Sequence, residues 1–327
     1  MKSPTKILFT LLSFIVFVFP FSSAFAAIRT YYIAAENVMW DYAPSNQDLV
    51  HGGPVPAPWF GNTVYAKVRF IEYTDSSFST RKPQPAWLGV LGPIIRGEVE
   101  DTIIVNFRNR ASGTYSMHPH GVRYDKNSEG SHHAFSEGAG GMVAPGGSFT
   151  YTWLADASSG PGLADPSSVV WWYHSHVNKT ADVNAGLLGP IIITAKGRAK
   201  ADGSPNDVKR EFVNMYMIFN ERAGLEEGLM HSINGYIFGN LPVMQMKTGD
   251  KVRWHVLGMG NEVDLHTPHW HGKVLDFRFH NTDVIELLPG SMASATMLAD
   301  NVGSWLVHCH VADHIDAGMT AIYKITP

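Results

Sequence analysis

Four histidine pairs of the form H-x-H constrain this 327-residue chain more than any other feature in it. They are His118–His120, His174–His176, His269–His271 and His308–His310. Side chains two residues apart on a strand share a face, so each pair set on a strand aims two imidazoles at one place. The surrounding chain supplies strands. Residues 30–34, 64–73, 102–107, 148–154, 169–174 and 190–194 are rich in β-branched and aromatic side chains. Amphipathic helical patterns are scarce, and the expected fold is all-β, built of sandwiches.

The pairs belong to a longer repeat. Glu100-Asp101-Thr102-Ile103 precedes His118-Pro119-His120-Gly121, as Gly249-Asp250-Lys251-Val252 precedes His269-Trp270-His271-Gly272. Ala144-Pro145-Gly146-Gly147 matches Leu288-Pro289-Gly290-Ser291. Trp172-Tyr173-His174-Ser175-His176 matches Leu306-Val307-His308-Cys309-His310. Shared order and similar spacing make a duplicated domain the economical reading. The polar, turn-rich stretch 195–210 reads as the joint. The expected division is a first domain at 27–197, a linker at 198–210 and a second domain at 211–327. The extra residues between Asp156 and Val169 read as a surface loop.

Residues 1–26 read as a secretory leader: Lys2 and Lys6, an apolar run at 7–21, then the cleavage pattern Ala24-Phe25-Ala26. Cleavage near Ala27 gives a soluble secreted or periplasmic protein. Retention as a signal anchor is the alternative, although the run is short for a span of about 20 residues. Loss of Lys2 and Lys6 takes the formal charge from −4 to −6. With no basic run to follow, nucleic acid is excluded as a partner.

Of 16 histidines, ten fall in the motifs His118-x-His120, His174-x-His176, His266-x-x-His269-x-His271 and His308-Cys309-His310-x-x-x-His314-x-x-x-x-Met319. Imidazole suits several transition metals, and thiolate with thioether turns the choice to copper. On a strand, His308 and His310 face one side and Cys309 the other. There Cys309, the single cysteine, can join His266, His314 and Met319 in the ligand set of a blue electron-transfer copper. The eight paired imidazoles can converge on a multinuclear site, with a short covalent path from the Cys309 sulfur to His308 and His310. His51, His132, His133, His231, His255 and His280 read as surface or satisfied core residues. Met215, Met217, Met244 and Met246 read as sandwich core.

In order and content these motifs resemble the copper-binding motifs of multicopper oxidases, over the whole chain after the leader. Tyr31-Tyr32-Ile33-Ala34-Ala35-Glu36 and Leu91-Gly92-Pro93-Ile94-Ile95 look like ceruloplasmin-type domains. The two-domain length looks like the bacterial small laccases. The resemblance implies two cupredoxin-like Greek-key β-sandwiches. It also implies a type 1 copper on His266, Cys309, His314 and Met319. A type 2 copper would sit on His118 and His269, and a type 3 pair on His120, His174, His176, His271, His308 and His310. Ser175 stands where the second half has Cys309, so four coppers per chain are expected, one of them type 1. In the two-domain family the cluster lies between subunits, which implies a homotrimer. Tyr124 and Glu129 match the Tyr and acid that follow the first H-x-H-G in small laccases and would serve proton delivery. Asp316 either supports a ligand or caps a turn.

The activity so implied is four one-electron oxidations coupled to reduction of dioxygen to water. Phenols or aromatic amines are the first expectation for the reductant, and ferrous or cuprous ion the second. Glu262 and Asp264 could bind such an ion or simply be solvated at a strand edge. A copper nitrite reductase would carry its blue-copper cysteine in the first domain. A non-enzymatic copper carrier is the rival outside enzymes.

Overall fold

The computed structural model describes residues 26–135, 138–261 and 264–327. The expected leader, Ala26 excepted, and Glu262 lie outside the described residues. Among the described residues the regular structure is mostly strands, in four sheets. The first half contributes β1 (Ile28–Asp41), β2 (Val64–Tyr73), β3 (Ile95–Glu98), β4 (Thr102–Asn109), β5 (His118–Pro119), β6 (Arg123–Tyr124), β7 (Ser148–Leu154), β8 (Ser168–His174) and β9 (Leu188–Thr194). They form one sheet ordered β2-β1-β4-β7-β6 and another ordered β3-β9-β8-β5. The second half contributes β10 (Arg210–Asn220), β11 (Leu229–Ile233), β12 (Met244–Lys247), β13 (Lys251–Gly258), β14 (Pro268–Trp270), β15 (Leu275–Phe277), β16 (His280–Thr282), β17 (Met292–Leu298), β18 (Gly303–Cys309) and β19 (Thr320–Thr326). Their sheets run β11-β10-β13-β17-β15-β16 and β12-β19-β18-β14. Among the described residues two short α-helices, α1 (Lys179–Ala185) and α2 (Ala312–Asp316), follow β8 and β18.

Strand pairing repeats between the halves. β1 runs parallel to β4 as β10 does to β13, and β4 pairs antiparallel with β7 as β13 does with β17. The other sheets repeat in the same way: β3 with β9 as β12 with β19, and β8 with β9 as β18 with β19. In register, His118 lies opposite His174 and His269 opposite His308. Strand pairing therefore brings the H-x-H motifs of each half side by side.

Alternation along the strands builds the core. In β7, Tyr151 and Trp153 are buried while Ser148, Thr150 and Thr152 are exposed, the pattern of a sheet wet on one face. Each half closes around its own apolar interior, Phe70, Val105, Trp153 and Ile191 in the first and Trp254, Trp270, Leu275 and Tyr323 in the second. A third apolar cluster lies between the halves, where Tyr42, Trp172 and Leu188 meet Val213, Phe219 and Leu257. β1 is much longer than residues 30–34. Its Glu36 and Asn37 are weak strand formers, yet ten consecutive pairs with β2 hold it extended, and Glu36 is bonded to Tyr73 and Arg81. The 195–210 stretch is firmly tied: Gly197 donates to Glu98, Asn206 to the Arg198 carbonyl, and Asp207 accepts from Ser167 and lies beside Arg253.

Candidate metal centres

The eleven residues from Cys309 to Met319 fold back on themselves through α2. Cys309 donates its N–H to the Met319 carbonyl at 3.1 Å, and Met319 donates to the His314 carbonyl at 2.9 Å. His266 reaches the same place from the segment before β14. The Cys309 sulfur lies 3.5 Å from His314 Nδ1 and 3.8 Å from His266 Nδ1. His266, Cys309, His314 and Met319 are all buried. Donor atoms bound to one ion at about 2.0–2.3 Å stand roughly 3.5 Å apart, so this geometry fits a single metal. A thiolate with two imidazoles beside a methionine favours copper. Burial pushes the Cys309 thiol up, but hydrogen bonds from His266, His314 and the Thr267 N–H prevail and bring it down to about 6.

The paired histidines form two sets of four. In the first, ring centroids of His118 lie 5.4 Å from His120 and 5.0 Å from His176, and His174 lies 5.2 Å from His120. In the second, His269 is 4.9 Å from His271, 5.2 Å from His308 and 5.3 Å from His310. Carbonyls behind the rings orient them: Glu129 bonds His118 Nδ1 at 2.6 Å, Ser175 bonds His174 Nδ1 at 2.9 Å, and Cys309 bonds His308 Nδ1 at 2.8 Å. That leaves Nε2 facing the centre of each set, the arrangement a metal-binding imidazole needs. Burial and neighbouring imidazoles lower His120 to about 4 and His174 to about 3, which keeps both rings neutral. Among the described residues, no ring contact joins one set to the other. Ring contacts thus group the eight imidazoles into two sets of four.

The first half preserves the backbone of the Cys309 site without its ligands. Ser175 donates to the Leu187 carbonyl at 3.0 Å and Leu187 to the Asp182 carbonyl at 3.0 Å, which repeats the Cys309–Met319–His314 pattern. Ser116 N–H bonds Ser175 Oγ at 3.2 Å, as Thr267 N–H bonds Cys309 Sγ. Ser175, Asp182 and Leu187 thus occupy the places of Cys309, His314 and Met319, and Tyr115 precedes Ser116 as His266 precedes Thr267. A 2.6 Å bond from Ser175 Oγ to Asp182 fills the space.

The remaining expected residues fall out unevenly. Tyr124 lies edge-on to His118 at 5.9 Å. Glu129 holds His118 with its carbonyl, while its carboxylate pairs with Lys126 and with His133. Burial works to raise that carboxyl, but the Lys126 and His133 hydrogen bonds hold it at about 2. Asp316 is exposed on α2. His255 is a satisfied core residue, bonded to Ser294 and Glu211. His51 is paired with Asp48 at the surface.

Two residues differ from the sequence expectation. Asp264 is not solvated; it is fully buried and bonded to His266. His231 is neither a surface residue nor a satisfied one. It stacks on His314 with centroids 5.2 Å apart and planes at 22°, and its Nδ1 is buried with no hydrogen-bond partner among the described residues. Both come from segments outside the H-x-H spacing, so local pattern carried no signal for either.

Among the described residues, the paired sheets carry a thiolate–imidazole centre and two imidazole clusters, donor sets that suit copper. Residues 71–198 and 208–327 each match the multicopper oxidase family. The chain is 36% identical to Ferroxidase HEPHL1 of Homo sapiens over 339 residues, which are 91% of this chain and 29% of that protein. It is 33% identical to ceruloplasmin of Homo sapiens, with coverage of 92% and 32%. It therefore spans about three-tenths of the length of these relatives. The blue copper oxidase of Nitrosomonas europaea shares the fold at TM-score 0.62 and 20% identity, with 91% and 86% of the two chains covered. The chain belongs to the multicopper oxidase family, whose members are copper-binding oxidoreductases that use dioxygen.

Proposed function

We propose that this chain is a secreted ferroxidase: it takes single electrons from ferrous ion and passes them to dioxygen, which becomes water. The observation that carries the donor assignment is the cover over His314. That imidazole is only 3% exposed and lies beneath the His231 ring, so an aromatic donor has no open imidazole edge to stack on. His231 is itself partly exposed, its buried Nδ1 has no hydrogen-bond partner among the described residues, and the neighbouring Asp313 carboxylate is exposed on α2. A divalent metal ion suits such a carboxylate. The human relative Ferroxidase HEPHL1 is named for that activity, which supports this reading over the phenol expectation.

His266, Cys309, His314 and Met319 would hold a type 1 copper. His118 and His269 would hold type 2, and His120, His174, His176, His271, His308 and His310 the type 3 pair. Copper in these sets supplies one-electron acceptance and dioxygen reduction. The chain's own residues do the rest. Apolar packing keeps water from Cys309, the carbonyls of Glu129, Ser175 and Cys309 fix the ring orientations, and the Cys309 peptide links directly to His308 and His310. Because ring contacts group the imidazoles into two sets of four, we assign the complete cluster to a subunit boundary. There the first set of one chain (domain 27–197) meets the second set of the next (domain 211–327, after the 198–210 joint). Three such contacts close a homotrimer.

Comparison of kcat/KM for ferrous ion, cuprous ion and a phenolic dye tests the donor, with oxygen uptake as the readout. A ferrous value at least tenfold above the others is expected. A phenol value above the ferrous one overturns the assignment, and no uptake with any donor leaves a copper carrier.

A further inference from the structure

Asp264 is a buried carboxyl group with no lysine or arginine paired to it among the described residues. It is fully inaccessible to solvent, and three N–H groups converge on it: Ile218 N–H at 2.7 Å, Asn261 N–H at 2.9 Å and His266 Nε2 at 3.3 Å. Two backbone N–H groups and the His266 ring nitrogen occupy its oxygens as hydrogen-bond acceptors. Among the described residues no lysine or arginine pairs with it, and its one ion-pair partner is His266. The fold makes room for this carboxylate. Gly260 has φ +127°, and a Cβ there would lie 2.0 Å from an Asp264 oxygen. A buried carboxylate costs several kcal/mol unless a positive charge compensates it. The bond to Nε2 also fixes the His266 tautomer, so Nδ1 turns its lone pair towards Cys309.

We propose that Asp264 is a positioning residue that sets the redox balance of the His266–Cys309–His314–Met319 site in favour of the oxidised metal. A cupric ion with the Cys309 thiolate carries one net positive charge, which the carboxylate offsets across the His266 ring. After one electron is added, ion and thiolate are neutral together and the carboxylate stays buried without a counter-charge. Reduction is therefore disfavoured, and the site selects strongly reducing donors over weakly reducing phenols. The inference rests on the copper assignment of these four ligands. If that assignment is wrong, the wild-type holoenzyme lacks the intense visible band of a copper thiolate, an outcome separate from those below.

The test is an anaerobic redox titration of that band in the holoenzyme against soluble mediators, for wild type, Asp264→Asn and Asp264→Glu. Asp264→Asn should raise the ratio of reduced to oxidised site at least tenfold at fixed mediator potential, equivalent to 59 mV for one electron. Asp264→Glu, which keeps the charge, should stay within about threefold of wild type. A fully loaded Asp264→Asn protein with an unchanged or lower midpoint overturns the proposal. If Asp264→Asn fails to hold the type 1 copper, retention of the band by Asp264→Glu supports the charge role. Loss of the band in both variants reduces Asp264 to a packing residue and overturns it.

Discussion

At the scale of single residues, the chain separates the groups that would touch metal from the groups that hold them. Cys309→Ser should abolish the visible copper-thiolate band and lower metal content by one copper per chain, as read by absorbance and metal analysis, with the other three retained. Glu129 gives a less intuitive outcome. Its carbonyl holds His118 while its carboxylate pairs with Lys126 and His133. Glu129→Gln keeps the carbonyl, so dioxygen turnover should stay within about threefold of wild type. A relay carboxylate would cost about 10²-fold or more, and a loss of that size in steady-state oxygen uptake would restore the proton-delivery role. His231→Ala should uncover His314 and raise kcat/KM for a phenolic dye while lowering it for ferrous ion. An unchanged ratio of the two would remove His231 from donor selection.

At the scale of elements, the halves meet through polar as well as apolar contacts. Glu211 on β10 accepts from Arg96 on β3 at 2.6 Å and lies 3.0 Å from His255 on β13. Burial would raise the Glu211 carboxyl, but the Arg96 charge and the His255 hydrogen bond hold it at about 2, against an ordinary value of 4.5. A carboxyl lowered on folding adds stability that is complete above about pH 4.5 and lost as pH falls through about 2. Denaturant midpoints of wild type and Glu211→Gln should therefore differ at pH 6 and converge by pH 2; parallel curves would exclude this joint as an acid-sensitive contact. The sequence revealed these elements where a residue's own neighbours dictate them. The alternating β7 and the H-x-H strands were legible because spacing alone sets which face a side chain takes. The length of β1 was not, since ten cross-strand pairs with β2 override Glu36 and Asn37. Asp264 and His231 were not, since burial and stacking depend on β10, β11 and α2, distant in sequence. The serine–aspartate replacement in the first half was legible only at Ser175. Asp182 and Leu187 became recognisable once the repeated backbone bonds aligned α1 with α2.

At the scale of the whole molecule, the proposed sharing of the two imidazole sets between subunits would make dioxygen reduction a property of the assembly. Native mass spectrometry should find three chains. Dissociation to single chains should abolish oxygen uptake while leaving the type 1 absorbance intact, and a monomer with full oxidase activity would refute the shared cluster. The same sharing has a genetic consequence. A chain with His174→Ala has a broken first set but an intact Cys309, and a chain with Cys309→Ser has the reverse. Neither works alone. Every mixed ring contains one boundary where the good first set of one faces the good second set of the other. Co-expressed in equal amounts, the two inactive alleles should complement each other and recover roughly a quarter of wild-type turnover, the fraction set by random closure of three-membered rings.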